Sequence, residues 1–196
     1  MPRTTLRQLN GFDDTPAKLA GSTLVLIDYQ NTYTTGVMEL DGWQDALEAG
    51  ARLLARARRE GAKVVHVVND GGEGTPYDIR AEIGAIHPSV AALDGEPVVV
   101  KKAPDAFVGT DLDRHVDAAG NDDLVIAGFM THMCVAFTAQ GAFLRGNRPT
   151  VVADACATRA LPVAATEVDA RQVHQGALAT IADLYGVVVP TQESLA

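Results

Sequence analysis

Residues 124–135 read Leu124-Val125-Ile126-Ala127-Gly128-Phe129-Met130-Thr131-His132-Met133-Cys134-Val135. The run from Leu124 to Gly128 lacks the polar alternation of a half-exposed strand, so it describes a strand buried on both faces. Such strands belong to parallel sheets, whose crossover helices cover both sides. The next segment, Thr131 to Arg145, carries alanines with Val135, Phe137, Phe143 and Leu144 and stops at Gly146, which predicts a helix. Strand, tight turn and helix therefore follow one another, with Cys134 at the helix opening.

The same grammar extends in both directions. Thr23-Leu24-Val25-Leu26-Ile27 is an apolar run that ends at Asp28, and Lys63–Val68, Pro97–Val100, Pro149–Ala153 and Gly186–Val189 are further β-branched runs. Between them, Asp45 to Glu60 places Leu47, Ala51 and Leu54 on one helical face, leaves Arg52, Arg56 and Arg59 to solvent, and meets a stop at Gly61. Asp111 to about Ala119 carries Leu112 and Val116, and Thr166 to Tyr185 carries Val173, Ala177, Ile181 and Leu184 ahead of Gly186. This alternation predicts a three-layer α/β/α domain around a doubly wound, six-stranded, mainly parallel sheet. No repeat or linker interrupts residues 1–196, which are expected to form a single domain.

Composition narrows the partners. Sixteen Lys+Arg against 25 Asp+Glu leave a net charge of −9. That balance argues against nucleic acid and anionic membranes, which demand a basic footprint. No apolar run approaches the roughly 18 residues needed to span a bilayer. Residues 1–9 show no hydrophobic core of a secretory signal. Two cysteines, Cys134 and Cys156, make no disulfide framework, and a cytoplasmic location is expected.

In an open parallel sheet, ligands bind beyond the carboxyl ends of the strands. Those ends deliver Asp28, Lys101 with Lys102, and Cys134. A thiol is mostly protonated at neutral pH, and a helix N-terminus with a nearby ammonium is expected to favour its thiolate. An adjacent carboxylate can take and return the proton, so the trio suits acyl transfer through a thioester. Each residue also has a plainer reading. A cysteine is commonly a small buried hydrophobe, a strand-terminal aspartate a turn former, and a lysine pair a solvated surface. Composition and spacing leave both open.

Four stretches carry a resemblance that decides between them. Leu24-Val25-Leu26-Ile27-Asp28-Tyr29-Gln30, Lys101-Lys102-Ala103-Pro104-Asp105-Ala106-Phe107, Gly128 to Val135, and Val151-Val152-Ala153-Asp154-Ala155-Cys156 resemble, in order and spacing, the motifs of the isochorismatase-like cysteine hydrolases. The resemblance spans roughly Leu6 to Val189. It implies a catalytic triad in which Cys134 is the nucleophile, Asp28 the general base and acid, and Lys101 the lysine. Lys101 is preferred to Lys102 because it lies six residues before Phe107, and the two should point to opposite faces. The resemblance also implies a non-proline cis peptide at Phe129–Met130 and an oxyanion hole formed by the backbone N–H groups of Met130 and Cys134.

No cofactor is expected. The metal ligands of the family's nicotinamidases have no counterpart in Glu39-Leu40-Asp41-Gly42-Trp43 or Asn69-Asp70-Gly71, so no metal is expected either. The glycine cluster Gly71-Gly72-Glu73-Gly74 follows the wrong strand for a dinucleotide fingerprint and reads better as part of an active-site loop reaching to about Pro88. Cys156 reads as a structural thiol, and His132 as a residue able to tune Cys134. Tyr33, Trp43 and Phe107 are candidate pocket walls. The expected partner is a small-molecule substrate, with a homo-oligomer (dimer or tetramer) as the assembly. The leading expectation is hydrolysis of an amide, lactam or related C–N bond, as in small amidases and streptothricin-type lactam hydrolases. The alternatives are isochorismatase-type vinyl-ether hydrolysis relying on Asp28, and a non-catalytic interaction protein.

Overall fold

The computed structural model describes residues 3–195. A short helix α1 (Leu6–Leu9) precedes strand β1 (Thr23–Ile27). Helix α2 (Trp43–Glu60) leads into β2 (Lys63–Asn69), and a long loop separates β2 from β3 (Val98–Lys101). Then come α3 (Leu112–Ala118), β4 (Asp123–Phe129), a wide helical turn (Thr131–Val135) and α4 (Ala136–Leu144). Strand β5 (Arg148–Ala157) is followed by β6 (Leu161–Val163), β7 (Thr166–Val168), α5 (Ala170–Thr180), a second wide turn (Ile181–Tyr185) and β8 (Val187–Val189).

Six strands form one parallel sheet in the order β3-β2-β1-β4-β5-β8. All six expected strands are therefore present. Period-two alternation sorts their side chains into two layers. Leu24 and Leu26 pack with Leu47, Leu53, Leu54 and Ala57 of α2 on one side. Val25 and Ile27 pack with Leu112, Val116, Ala139, Ala142 and Ile181 on the other. Burial on both faces is why these strands read as unbroken apolar runs.

The chain order reverses between β1 and β4, so their carboxyl ends flank the crevice where such sheets hold ligands. Close approach of these two strands depends on Gly128. Its φ is +142°, and a Cβ there would lie 2.0 Å from the Ile27 carbonyl oxygen. Relief would require β1 and β4 to part at the level of the site. Gly128→Ala is expected to lower stability by about 3 kcal/mol or more, measurable by urea denaturation.

Two expected helices are revised. Thr166 to Tyr185 is not one helix, because Thr166–Val168 pairs antiparallel with Leu161–Val163 in a two-stranded hairpin. Helix α5 starts after Asp169, whose side chain accepts from Gln172 N at 2.8 Å and so satisfies a free amide of the first turn. Thr131 to Arg145 begins not as an α-helix but as the wide turn, in which Val135 N donates to Met130 O at 3.3 Å. A one-residue expansion of this kind re-aims the side chains of the first turn.

Candidate active site

Asp28 follows β1 directly and has a φ of +51°, a conformation that aspartate tolerates better than most residues. Its N–H still donates to Val67 O at 2.9 Å, while Gln30 N donates back to Asp28 O at 2.7 Å. The chain thus turns sharply with the carboxylate fully buried. Lys101 ends β3, paired in register with Asn69, and shares a face with Val99. The end of β1 lies two strand spacings away, roughly 10 Å, so the Lys101 and Asp28 side chains together close the gap. Lys101 Nζ lies 2.8 Å from Asp28 Oδ2 and 3.2 Å from Cys134 Sγ. Lys102 faces solvent. Cys134, in the wide turn after β4, retains 7% of its surface, against 0% for Asp28 and 1% for Lys101. The sulfur is therefore the member of the trio nearest the exterior.

Apart from the ion pair, neither Asp28 oxygen has a well-directed hydrogen-bond donor. The carboxylate is held by charge, with lone pairs left over for a proton. Burial raises its pKa, partly offset by Lys101. Burial works against the Lys101 ammonium, but Asp28 and Cys134 outweigh it and hold its pKa above the ordinary lysine value. For Cys134, burial and then the Asp28 charge push the thiol up to about 12, with Lys101 opposing. This corrects the expectation of a thiolate favoured at rest. Burial is a property of the folded core, and here it overrides the helix opening and the lysine. The resting site is a neutral thiol beside an ammonium–carboxylate pair. Alkylation of Cys134 by iodoacetamide should consequently climb about tenfold per pH unit from pH 7 to 10 with no plateau, as followed by peptide mass.

The Phe129–Met130 peptide is cis, where the resemblance implied it. Two side-chain contacts brace the turn that follows. Thr131 Oγ1 lies 2.9 Å from His174 Nδ1 of α5, and His132 Nδ1 lies 2.5 Å from Thr158 Oγ1 beyond β5. His132 is thus turned toward Thr158. The Cys156 thiol donates to Val152 O at 3.3 Å, consistent with a structural part.

Of the candidate pocket walls, Tyr33 is buried, with its ring 5.7 Å from that of Phe129 and 5.8 Å from that of Tyr77. Phe107 packs against the layer that contains Cys134 and carries the Arg145 guanidinium 5.0 Å from its ring centre. Trp43 opens α2 on the opposite layer, 6.4 Å from the His87 ring. Among the described residues, no group of three or more His, Cys, Asp or Glu side chains is arranged to hold a metal ion.

Several residues emerge only from the fold. Gln30, fully buried, donates to Asn69 O at 3.0 Å and Gly84 O at 2.7 Å, and accepts from Asn69 N at 2.9 Å. It ties the end of β1 to β2 and to the loop beyond. Arg159, two residues past β5, has a buried Nε with no hydrogen-bond partner. Its charge reaches His132, whose pKa is lowered first by burial and then by Arg159. It also acts on Tyr77, which burial raises and which feels Cys134 and Asp28 as well.

A carboxylate, a lysine and a cysteine thus converge at the reversal of strand order. The family model described as Isochorismatase domain matches residues 22–193. The chain belongs to the isochorismatase family. An uncharacterized isochorismatase family protein of Bacillus subtilis, YddQ, is 36% identical over 89% of this chain and 98% of its own length. Maleamate amidohydrolase of Pseudomonas putida is 30% identical over 94% of this chain and 87% of its own. The crystal structure of an isochorismatase from Pseudomonas putida superposes with a TM-score of 0.96 at 38% identity, each chain covered in full. Isochorismatase-family hydrolases thus include amidohydrolases alongside the enzymes that give the family its name.

Proposed function

We propose that the protein is a cysteine hydrolase that cleaves an amide, lactam or related C–N bond of a small molecule through a thioester on Cys134. The observation that carries this reading is the position of Lys101 Nζ, 2.8 Å from Asp28 Oδ2 and 3.2 Å from Cys134 Sγ. As the sulfur attacks the carbonyl carbon, its proton passes to Asp28, whose raised pKa suits it to accept. Lys101 remains protonated and steadies the sulfur's developing charge. The backbone N–H groups of Met130 and Cys134 would hold the oxyanion, since amides in the opening turn of a helical segment lack intrahelical partners. When the C–N bond breaks, Asp28 returns the proton to the leaving nitrogen. Water then attacks the thioester and gives a proton to Asp28, and the C–S bond breaks. The acid departs, and the proton goes back to sulfur. The amidohydrolase relative supports the same bond class.

The test is a panel of amides and lactams, followed by ammonia or amine release and by intact mass. A mass gain equal to the acyl group, mapped to Cys134, supports the thioester. Turnover that never yields an acyl adduct with any substrate, even under acid quench, argues against it. Arg159 adds a preference. Arg159, whose buried Nε has no hydrogen-bond partner among the described residues and whose charge is felt at His132 and Tyr77, would favour amides that also carry a carboxylate. Arg159→Met should raise KM for such substrates about 10–100-fold, with neutral amides little affected.

A further inference from the structure

Strand β3 carries Lys101, yet little in the strand itself holds it in place. It is four residues long and lies at one edge of the sheet, paired with β2 along one side. Val99 and Lys101 point inward and are buried, whereas Val98 and Val100 are 47% and 44% exposed, so its other face lacks a covering layer. Short edge strands of this kind open at free energies well below that of global unfolding. The position of β3 therefore depends on what grips its entry.

That grip centres on Glu96, two residues before the strand. Arg58 of α2 donates to both carboxylate oxygens, Nε to Oε1 at 2.8 Å and Nη2 to Oε2 at 2.7 Å. Oε2 also accepts from Leu93 N at 2.9 Å and lies 2.9 Å from Nε2 of His66 in β2. A two-pronged contact is among the stronger geometries open to an arginine and a carboxylate. The Glu96 side chain is only 14% exposed, which leaves the pair less screened than a surface one. Hydrogen bonds from Arg58 hold its carboxyl down at about 2, so it stays anionic. His66 is buried, and burial lowers its pKa; the ring is therefore neutral near pH 7 and its Nε2–H donates. The His66 backbone N–H donates to Pro97 O at 2.9 Å, beside the first rung of the β2–β3 ladder. One carboxylate thus joins α2, β2 and the turn that opens β3. From there to Lys101 is roughly 16 Å of extended chain, with little slack to absorb a shift at the entry.

We propose that Glu96 is a positioning residue: through Arg58 and His66 it fixes the entry of β3 and so keeps Lys101 Nζ 2.8 Å from Asp28 and 3.2 Å from Cys134. The consequence for rate rests on the hydrolase reading above, whereas the anchoring does not.

The test acetylates the lysines with acetic anhydride and reads Lys101 against solvent-facing Lys102 by fragment mass. Glu96→Gln keeps the size of the side chain and removes its charge. The Lys101-to-Lys102 ratio should rise about 10–100-fold. The rise should depend little on low urea, the mark of a local opening. Arg58→Met should act alike, while Arg52→Met, which breaks the exposed Arg52–Glu48 pair on the same helix, should leave the ratio unchanged. An unchanged ratio in Glu96→Gln and Arg58→Met overturns the proposal. So does a rise that climbs steeply with urea, which would report global unfolding alone. Should Glu96→Gln fail to fold, Arg58→Met decides. Turnover supplies a second readout: kcat of Glu96→Gln should fall about tenfold with KM near wild type. A raised ratio with kcat unchanged would uphold the anchor and count against the part of Lys101 in hydrolysis. Labelling needs no substrate, so failure of the anchor and failure of the hydrolase reading are distinguishable.

Discussion

Cys134→Ala should fold like the wild type and lose hydrolysis of every amide or lactam the wild type accepts, with kcat/KM falling at least about 10,000-fold. Without the sulfur, water must attack the carbonyl directly, aided only by Asp28 and the oxyanion-binding amides. In the proposed chemistry nucleophile, base and positioning cation act as a unit, so loss of one should forfeit most of what the three achieve. Folding should be preserved because the 2.8 Å pair of Lys101 with Asp28 survives and the missing sulfur leaves only a small void. Ammonia release and circular dichroism check the two halves of this expectation. Retained turnover in Cys134→Ala, together with loss in Asp28→Ala, would point to isochorismatase-type proton transfer to a vinyl ether.

A second large effect falls on stability as well as rate. Asn is the mildest replacement at position 28, since it fits the same space and tolerates the φ of +51°. Asp28→Asn should nevertheless abolish turnover and cost about 3–5 kcal/mol of folding stability, because Lys101 is left buried without a counter-charge. The pH dependence should change with it. In the wild type the Lys101 pKa stands above the ordinary lysine value of 10.5, so its contribution holds below that pH and is lost only as pH rises through the folded value. In Asp28→Asn the lysine pKa falls below that of the unfolded chain. Stability should then rise with pH as the ammonium sheds its proton. Adding Lys101→Met removes the orphaned charge, and the double variant should recover most of the stability while remaining inactive. Urea denaturation of the four proteins at pH 6 and pH 9 measures the cycle. Additive losses would mean that the pair is not the coupled unit its geometry describes.

What could be read from the chain follows from where the determining forces act. Strands such as Thr23–Ile27 were legible because burial on both faces writes an unbroken apolar run. Asp28, Lys101 and Cys134 stood out because parallel sheets present their chemistry at strand ends; the resemblance singled out Lys101, and alternation turned Lys102 to the opposite face. The Leu161–Val168 hairpin was missed because its short strands lie mostly exposed and carry no core pattern, although Asp169 offered a cap signal for the true start of α5. Gln30 acquires its role from contacts with distant segments, and Arg159 stands out through a buried Nε without a hydrogen-bond partner, neither of which local spacing encodes. The direction of the Cys134 shift escaped for the same reason. The helix opening is visible in sequence, whereas the depth at which the sulfur lies is not.

The lysine stands at the last residue of β3, a four-residue strand at the margin of the sheet with β2 as its sheet neighbour. Marginal strands open first when a protein breathes, with free energies far below that of global unfolding. Chemistry at the middle of the sheet is thereby wired to one of its edges. A transient peeling of β3 would withdraw the cation from Asp28 and Cys134 while leaving the interior strands paired. On the chemistry proposed above, turnover should therefore report edge fraying more sensitively than a spectroscopic measure of the whole fold.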